Sequence, residues 1–319
     1  MDQHHMPLNA PISSGLRLLR QFSLFAALLP GAAMAQSLPA ACNIGEVGTL
    51  PLQFTANMVP LVEASINGHA VPALLDLGLQ TATSLDRKTL EKLGVKVRSS
   101  DSNIGGIQVL NSLIEHFAVG KIEFRRSWFV VEEFPHEGIG AKIGANYLLR
   151  HDVEIALDGG YLKYFKPSGC SKAQLAYWDP RAASVPADID PLRKDLRPWF
   201  KVRINGKEIS AVLSTASANS TIDRFTAARM GLTPESPGAT QEEPVTGWYE
   251  RSQPVWSVPV PQMSIGDLAV KDFRLHLMNL DLSGEMLILG ADFLRQHRVY
   301  IAMGQRKIYF SKVEPRPEP

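Results

Sequence analysis

INGHAVPALLDLGLQTAT occupies residues 66–83, and INGKEISAVLSTASANST occupies residues 204–221. Each stretch begins Ile-Asn-Gly, rises into an apolar strand-like run and ends in small and polar residues. The register between them is constant at 138 positions, from Ile66 to Ile204 and again from Thr83 to Thr221. In that register Asp76 falls on Ser214, so one copy carries a carboxylate at its strand end and the other a hydroxyl.

The repetition continues outward. LDRKTLEKLG at 85–94 corresponds to IDRFTAARMG at 222–231, and both read as a short amphipathic helix closed by Gly. IGANYLLRHDVEIALDGGYLKY at 143–164 corresponds to LGADFLRQHRVYIAMGQRKIYF at 289–310. Each has an apolar residue plus Gly, a short helix ending at a histidine, then two strands around a turn. Between these anchors, residues 112–119, 122–131, 256–265 and 273–280 have strand composition, with hairpin turns expected at Gly120 and at Gly266-Asp267. Residues 166–197 carry Pro167, Pro180, Pro186 and Pro191 among Ala and charged residues, which reads as a surface linker. The duplication therefore predicts two similar, mainly β lobes, at 36–165 and 198–311, with a tail at 312–319.

Composition agrees with an ordinary globular chain. Of 319 residues, 45% are hydrophobic and 20% charged, enough to fill cores in two lobes. A formal net charge of +1 gives no electrostatic reason to expect nucleic acid as a partner. At the amino terminus, Arg17 and Arg20 precede the apolar run Phe22–Leu29, and Ala33-Met34-Ala35 follows. That order predicts a cleavable export signal at 1–35, too short in its apolar part to span a membrane comfortably. An uncleaved anchor, or a start at Met6, are the other readings of the same residues. The expectation is a periplasmic or secreted monomer without a stable membrane span. Cys42 and Cys170 are the only cysteines. An even pair in an exported chain points to one disulfide, and two free buried thiols are the alternative.

An apolar strand, Asp-x-Gly, a small polar residue and a later hydrophobic-Gly with a short helix, all twice over, resemble the retropepsin and pepsin-like aspartic peptidases. The likeness is greatest to their bacterial, exported, two-lobe members. The first lobe matches the family's strand-end motif with Leu75-Asp76-Leu77-Gly78, and the second with Leu213-Ser214-Thr215-Ala216. Ile143-Gly144 and Leu289-Gly290 match the element that crosses behind the catalytic loop. The resemblance implies a bilobal acid-protease fold, a peptide or protein substrate held between the lobes, and no cofactor. It also implies flexible covering segments, for which Gly105-Gly106 and Trp248-Tyr249 are candidates.

The family's reaction needs two carboxylates sharing one proton, one activating water and the other polarising the peptide carbonyl. Here Asp76 aligns with Ser214, which donates and accepts hydrogen bonds but is no comparable acid. Leu77 stands where the family's hydroxyl helps knit the two loops together, while Thr215 keeps that hydroxyl in the second lobe. Ala216 replaces a glycine, a change tolerated poorly where φ is positive. The residues thus predict a peptide- or partner-binding protein with lost or much reduced catalysis. The rival reading is an active endopeptidase that uses Asp76 in an atypical or intermolecular dyad. Asp76 could equally end its strand as an ordinary turn residue. Ser214 has no neighbouring histidine to activate it as a nucleophile. His69, His116, His136 and His276 show no metal-ligand spacing, and no metal is expected. His151 and His297 sit at helix ends, where packing or capping explains them, and Asp292 reads as a cap.

Overall fold

The computed structural model describes residues 42–78, 83–104, 107–134, 138–189, 195–246, 252–280 and 285–314. The expected signal at 1–35 and the covering candidates Gly105, Gly106, Trp248 and Tyr249 lie outside the described residues. The chain is mainly β, built as two lobes around three sheets.

Each lobe begins with the same hairpin. In the first, Pro60–Ile66 pairs antiparallel with His69–Asp76; in the second, Phe200–Ile204 pairs with Lys207–Leu213. The turns between them are Asn67-Gly68 and Asn205-Gly206, and all four residues have positive φ. Two consecutive left-handed residues match the right-handed twist of the flanking strands, and Asn-Gly is the pair that reaches this conformation at least cost. The repeated Ile-Asn-Gly is therefore a strand end and its turn. The hairpin turns expected at Gly120 and Gly266 are present, each glycine at positive φ. The 256–265 stretch is interrupted, forming Ser252–Val260 and Met263–Ile265.

The strand that follows the hairpin explains the hydrophobic-Gly motif. Ala141–Gly144 runs parallel to His69–Asp76, opposing Gly144 to Asp76. Leu287–Leu289 likewise runs parallel to Lys207–Leu213, opposing Leu289 to Leu213. In both lobes the partner strand is inserted between the hairpin and a short strand, Ser84–Asp86 or Thr221–Asp223. The short strands lead into the helices Arg87–Lys92 and Arg224–Arg229, capped by Asp86 and Asp223 through side-chain bonds to helix N–H groups. Gly94 and Gly231 close these helices at positive φ.

Among the described residues the first lobe's sheet has eight strands, and pairing of Pro60–Ile66 with Ile107–Val119 folds it back on itself. The second lobe's sheet has nine. A third sheet of six strands is shared. Its centre pairs Asp152–Ala156 from the first lobe with His297–Ala302 from the second. Outward lie the hairpin partners Tyr161–Phe165 and Lys307–Lys312, then Glu46–Pro51 and Ala183–Pro186 at the edges. Each edge strand comes from the chain just ahead of a lobe.

Part of the segment read from sequence as a linker is thus sheet, and more of it is packed. Leu175, Ala176 and Ala182 are buried with Phe165, Tyr300 and Tyr309 in a satellite apolar cluster. Cys42 and Cys170 form a disulfide at the same place, tying the leading segment to this packed stretch. Among the described residues, no helix is long and apolar enough to cross a membrane.

Candidate functional site

The two strand ends meet. Asp76 is the last residue of His69–Asp76, and Ser214 follows Lys207–Leu213 directly. The Ser214 hydroxyl donates to Asp76 Oδ1 at 3.2 Å, and the Gly78 N–H donates to the same oxygen at 2.9 Å. Ser214 Oγ accepts from the Ser217 N–H at 3.2 Å, and its own N–H is held by the Leu289 carbonyl. A serine hydroxyl has one proton. Here it is directed at Asp76, so Ser214 has no proton left to give a substrate.

Thr215 crosses between the lobes. Its buried hydroxyl donates to the Leu75 carbonyl at 2.6 Å and accepts from the Leu77 N–H at 3.3 Å. The bridge runs in one direction only, because Leu77 is a buried apolar side chain with nothing to return. Ala216 is not among the positive-φ residues, so a side chain costs no backbone strain there.

Packing explains the glycines of the motif. A Cβ on Gly78 would stand 2.7 Å from Ser214 Cβ. On Gly290 it would stand 2.7 Å from the backbone of both Ser217 and Asn219. Gly290 opens the helix Ala291–Gln296, as Gly144 opens Ala145–Leu148. In the second lobe this junction grips the motif loop. The Ala291 and Asp292 N–H groups donate to the Ser217 and Ala218 carbonyls at 2.7 and 3.0 Å. Asp292 accepts from the Ser220 N–H at 2.8 Å and from its hydroxyl at 2.7 Å, and Ser220 Oγ accepts from the Gly290 N–H. Asp292, expected from the sequence to cap a helix, lies inside the helix that Gly290 opens and braces the loop instead. The first lobe has Asn146 at the matching position, and its buried Oδ1 has no hydrogen-bond partner.

One participant escapes the repeat altogether. Arg197 forks onto Asp195 through Nε at 2.9 Å and Nη2 at 2.7 Å, and reaches the Gly78 carbonyl with Nη1 at 3.4 Å. The Trp199 indole N–H also donates to Asp195, and the guanidinium lies 4.8 Å over the Trp199 ring. Burial works to raise the Asp195 carboxyl, but the Arg197 and Trp199 hydrogen bonds and the guanidinium charge outweigh it and hold it below the usual carboxylate range.

The histidines stand elsewhere. His297 is buried against Phe293, with ring centroids 4.1 Å apart, and its Nδ1 lies 2.9 Å from the Phe293 carbonyl. Burial lowers its pKa more than that bond raises it. His276 pairs with Glu242 at 3.0 Å and His116 with Glu123 at 3.2 Å. Among the described residues no cluster of His, Cys, Asp and Glu has a metal-binding arrangement. Two cavities, of about 230 and 90 Å³, are lined at Lys201 and Arg203 and at Asp86 and Phe134, away from the Asp76–Ser214 pair.

Residues 200–293 match a family model described as aspartyl protease. The second lobe is thus aspartyl-protease-like in sequence as well as in fold, although it is the lobe that carries Ser214 in place of a carboxylate. Among solved structures the chain is similar to Basic 7S globulin from soybean, with a TM-score of 0.47 and 14% identity, covering 84% of this chain and 95% of that one. No curated protein matches the chain.

Proposed function

We propose that this chain is an exported, monomeric protein of the aspartic-peptidase type whose interlobe cleft binds an extended peptide or a segment of a partner protein. Its hydrolytic chemistry is lost or much reduced. The observation that carries this reading is the Ser214 hydroxyl at 3.2 Å from Asp76, where the reaction needs a second carboxylate. Asp76 with Ser214 presents hydrogen-bonding oxygens to a bound amide or water. It offers no second acid to polarise the carbonyl while the first activates water. An extended chain lying across two strand ends is held through backbone hydrogen bonds, with side-chain pockets setting preference.

An active endopeptidase built on two Asp76 residues from separate chains is disfavoured by geometry. The Ser214–Thr215 loop already occupies the face that the second Asp76 would need, and Thr215 bonds it there twice.

The test is to incubate residues 36–319 with a peptide library at acidic and neutral pH, beside Asp76→Asn. Saturable binding without cleavage is the expected result. Cleavage by the wild type that Asp76→Asn abolishes would overturn the non-catalytic reading. Neither binding nor cleavage of any peptide would overturn the cleft-binding reading.

A further inference from the structure

The side chains that brace the two motif loops differ. The Ser214 loop is gripped within its own lobe by Gly290, Ala291, Asp292 and Ser220. At the positions that match Ser220 and Asp292 the first repeat has Ala82 and Asn146. Asn146 replaces Asp292, and its Oδ1 is buried unpaired, as are Thr83 Oγ1 and Ser84 Oγ at the far end of the same loop. Leu77 further deprives the Asp76 loop of the hydroxyl that would reach across to the other lobe. Buried polar atoms without partners cost free energy, so the described ends of the Asp76 loop carry a deficit that Asp292 and Ser220 spare the other loop.

Arg197 is placed where that deficit lies. Its fork on Asp195, its stacking on Trp199 and its 13% side-chain exposure fix the guanidinium before it meets the loop. Two of its nitrogens are spent on Asp195, and Nη1 is aimed at the Gly78 carbonyl, with Met286 Sδ at 3.9 Å. Gly78 is the residue whose N–H holds Asp76 Oδ1. Met286 directly precedes the strand that leads to Gly290. One side chain from the segment between the lobes therefore touches the Asp76 loop on one side and the approach to the Gly290 junction on the other. By the 138-residue register its counterpart is Val59, which has no such capacity, so this contact is peculiar to one side of the molecule.

We infer that Arg197 is a positioning residue for the candidate site, setting the Asp76 carboxylate by holding the Gly78 peptide and supplying from the interlobe segment the cross-lobe tie that Leu77 cannot make. The inference rests on the Asp76–Ser214 pair being the functional site, but its test does not depend on any ligand. Amide hydrogen exchange is followed residue by residue in the wild type, Arg197→Ala and Arg197→Lys. The expected result is exchange at Leu77 and Gly78 faster by about fivefold or more in Arg197→Ala. Ser220 and Asp292, whose N–H groups belong to the other grip, stay at wild-type rates. Arg197→Lys keeps the charge and the stem but cannot fork onto Asp195 while reaching Gly78, so it should restore the rates only in part. Wild-type exchange at Leu77 and Gly78 in Arg197→Ala, or uniformly faster exchange in both loops, would overturn the assignment. Should Arg197→Ala fail to fold, Arg197→Lys carries the same comparison between the two loops. A chain that binds no peptide would remove the proposed function and leave these rates, and the tie they measure, standing.

Discussion

At single side chains, the decisive fact is that one hydroxyl does the work of a pair. Thr215→Val keeps shape and volume but leaves the Leu75 carbonyl and the Leu77 N–H buried without their partner. The expected loss is about 2–4 kcal/mol in denaturant unfolding, larger than for an exposed Thr→Val change. Ser214→Asp tests whether the surrounding frame still suits catalysis. The substitution returns the second carboxylate beside Asp76, and the expected outcome is peptide hydrolysis about 100-fold or more above wild type, with an acidic optimum. Adding Asp76→Asn should remove it. An unchanged rate in Ser214→Asp would mean that the altered Leu77 side of the site, and not only the missing acid, blocks the chemistry. The Leu77, Ser214 and Ala216 departures were all legible in the sequence, because a fixed register exposes every mismatch. Arg197 was not, because it lies outside the repeated segments and 119 positions from Gly78.

Among elements, the hairpin turns and the junction helices carry the duplication. Gly68 and Gly206 have φ of 85° and 79° with open space around the position of a Cβ, so replacement by Ala is opposed by backbone conformation alone. Each Gly→Ala change should cost about 1 kcal/mol, read as a shift in unfolding midpoint without a change in slope. Gly290→Ala meets a different obstacle, the Ser217 and Asn219 backbone 2.7 Å away, and should cost more than either turn variant. The strands and short helices were readable from apolar alternation, aspartate caps and closing glycines. The meaning of Ile-Asn-Gly as a type of turn was available from the Asn-Gly pair but passed as the start of a strand. The strand Ala183–Pro186 was hidden by its setting among prolines, since an edge strand needs only one paired side and tolerates them.

For the molecule as a whole, the shared six-stranded sheet joins the lobes, and the disulfide fastens its first edge. Cys42 and Cys170 are separated by 128 positions, so the bond removes a long loop from the unfolded chain. Its loss in Cys42→Ser with Cys170→Ser should lower unfolding stability by about 3–5 kcal/mol. Acid should also weaken the fold through His297 on that sheet. Its pKa is lowered in the folded protein by burial, so the unfolded chain binds the proton more readily. Its contribution is therefore present above the ordinary histidine value of about 6.5 and is lost as pH falls from there toward the folded pKa. His297→Gln removes this proton uptake. The slope of unfolding free energy against pH just below that value should flatten in the variant, and an unchanged slope would assign the acid sensitivity elsewhere.

A constant register across two halves determined the lobes, the matched strand ends and the mismatch of Asp76 with Ser214, because duplication preserves order and spacing whatever the chain does in space. Strand and helix positions followed from the same residues, since their periodicity is local. What the tertiary structure decided depends on groups far apart in the chain. It directs the one Ser214 proton at Asp76, sets the Thr215 hydroxyl between the Leu75 carbonyl and the Leu77 N–H of the other lobe, and brings Arg197 from a stretch of apparent linker to the Gly78 carbonyl. Hydrogen bonds and close backbone approaches are set by packing in three dimensions, and no spacing along the chain specifies them.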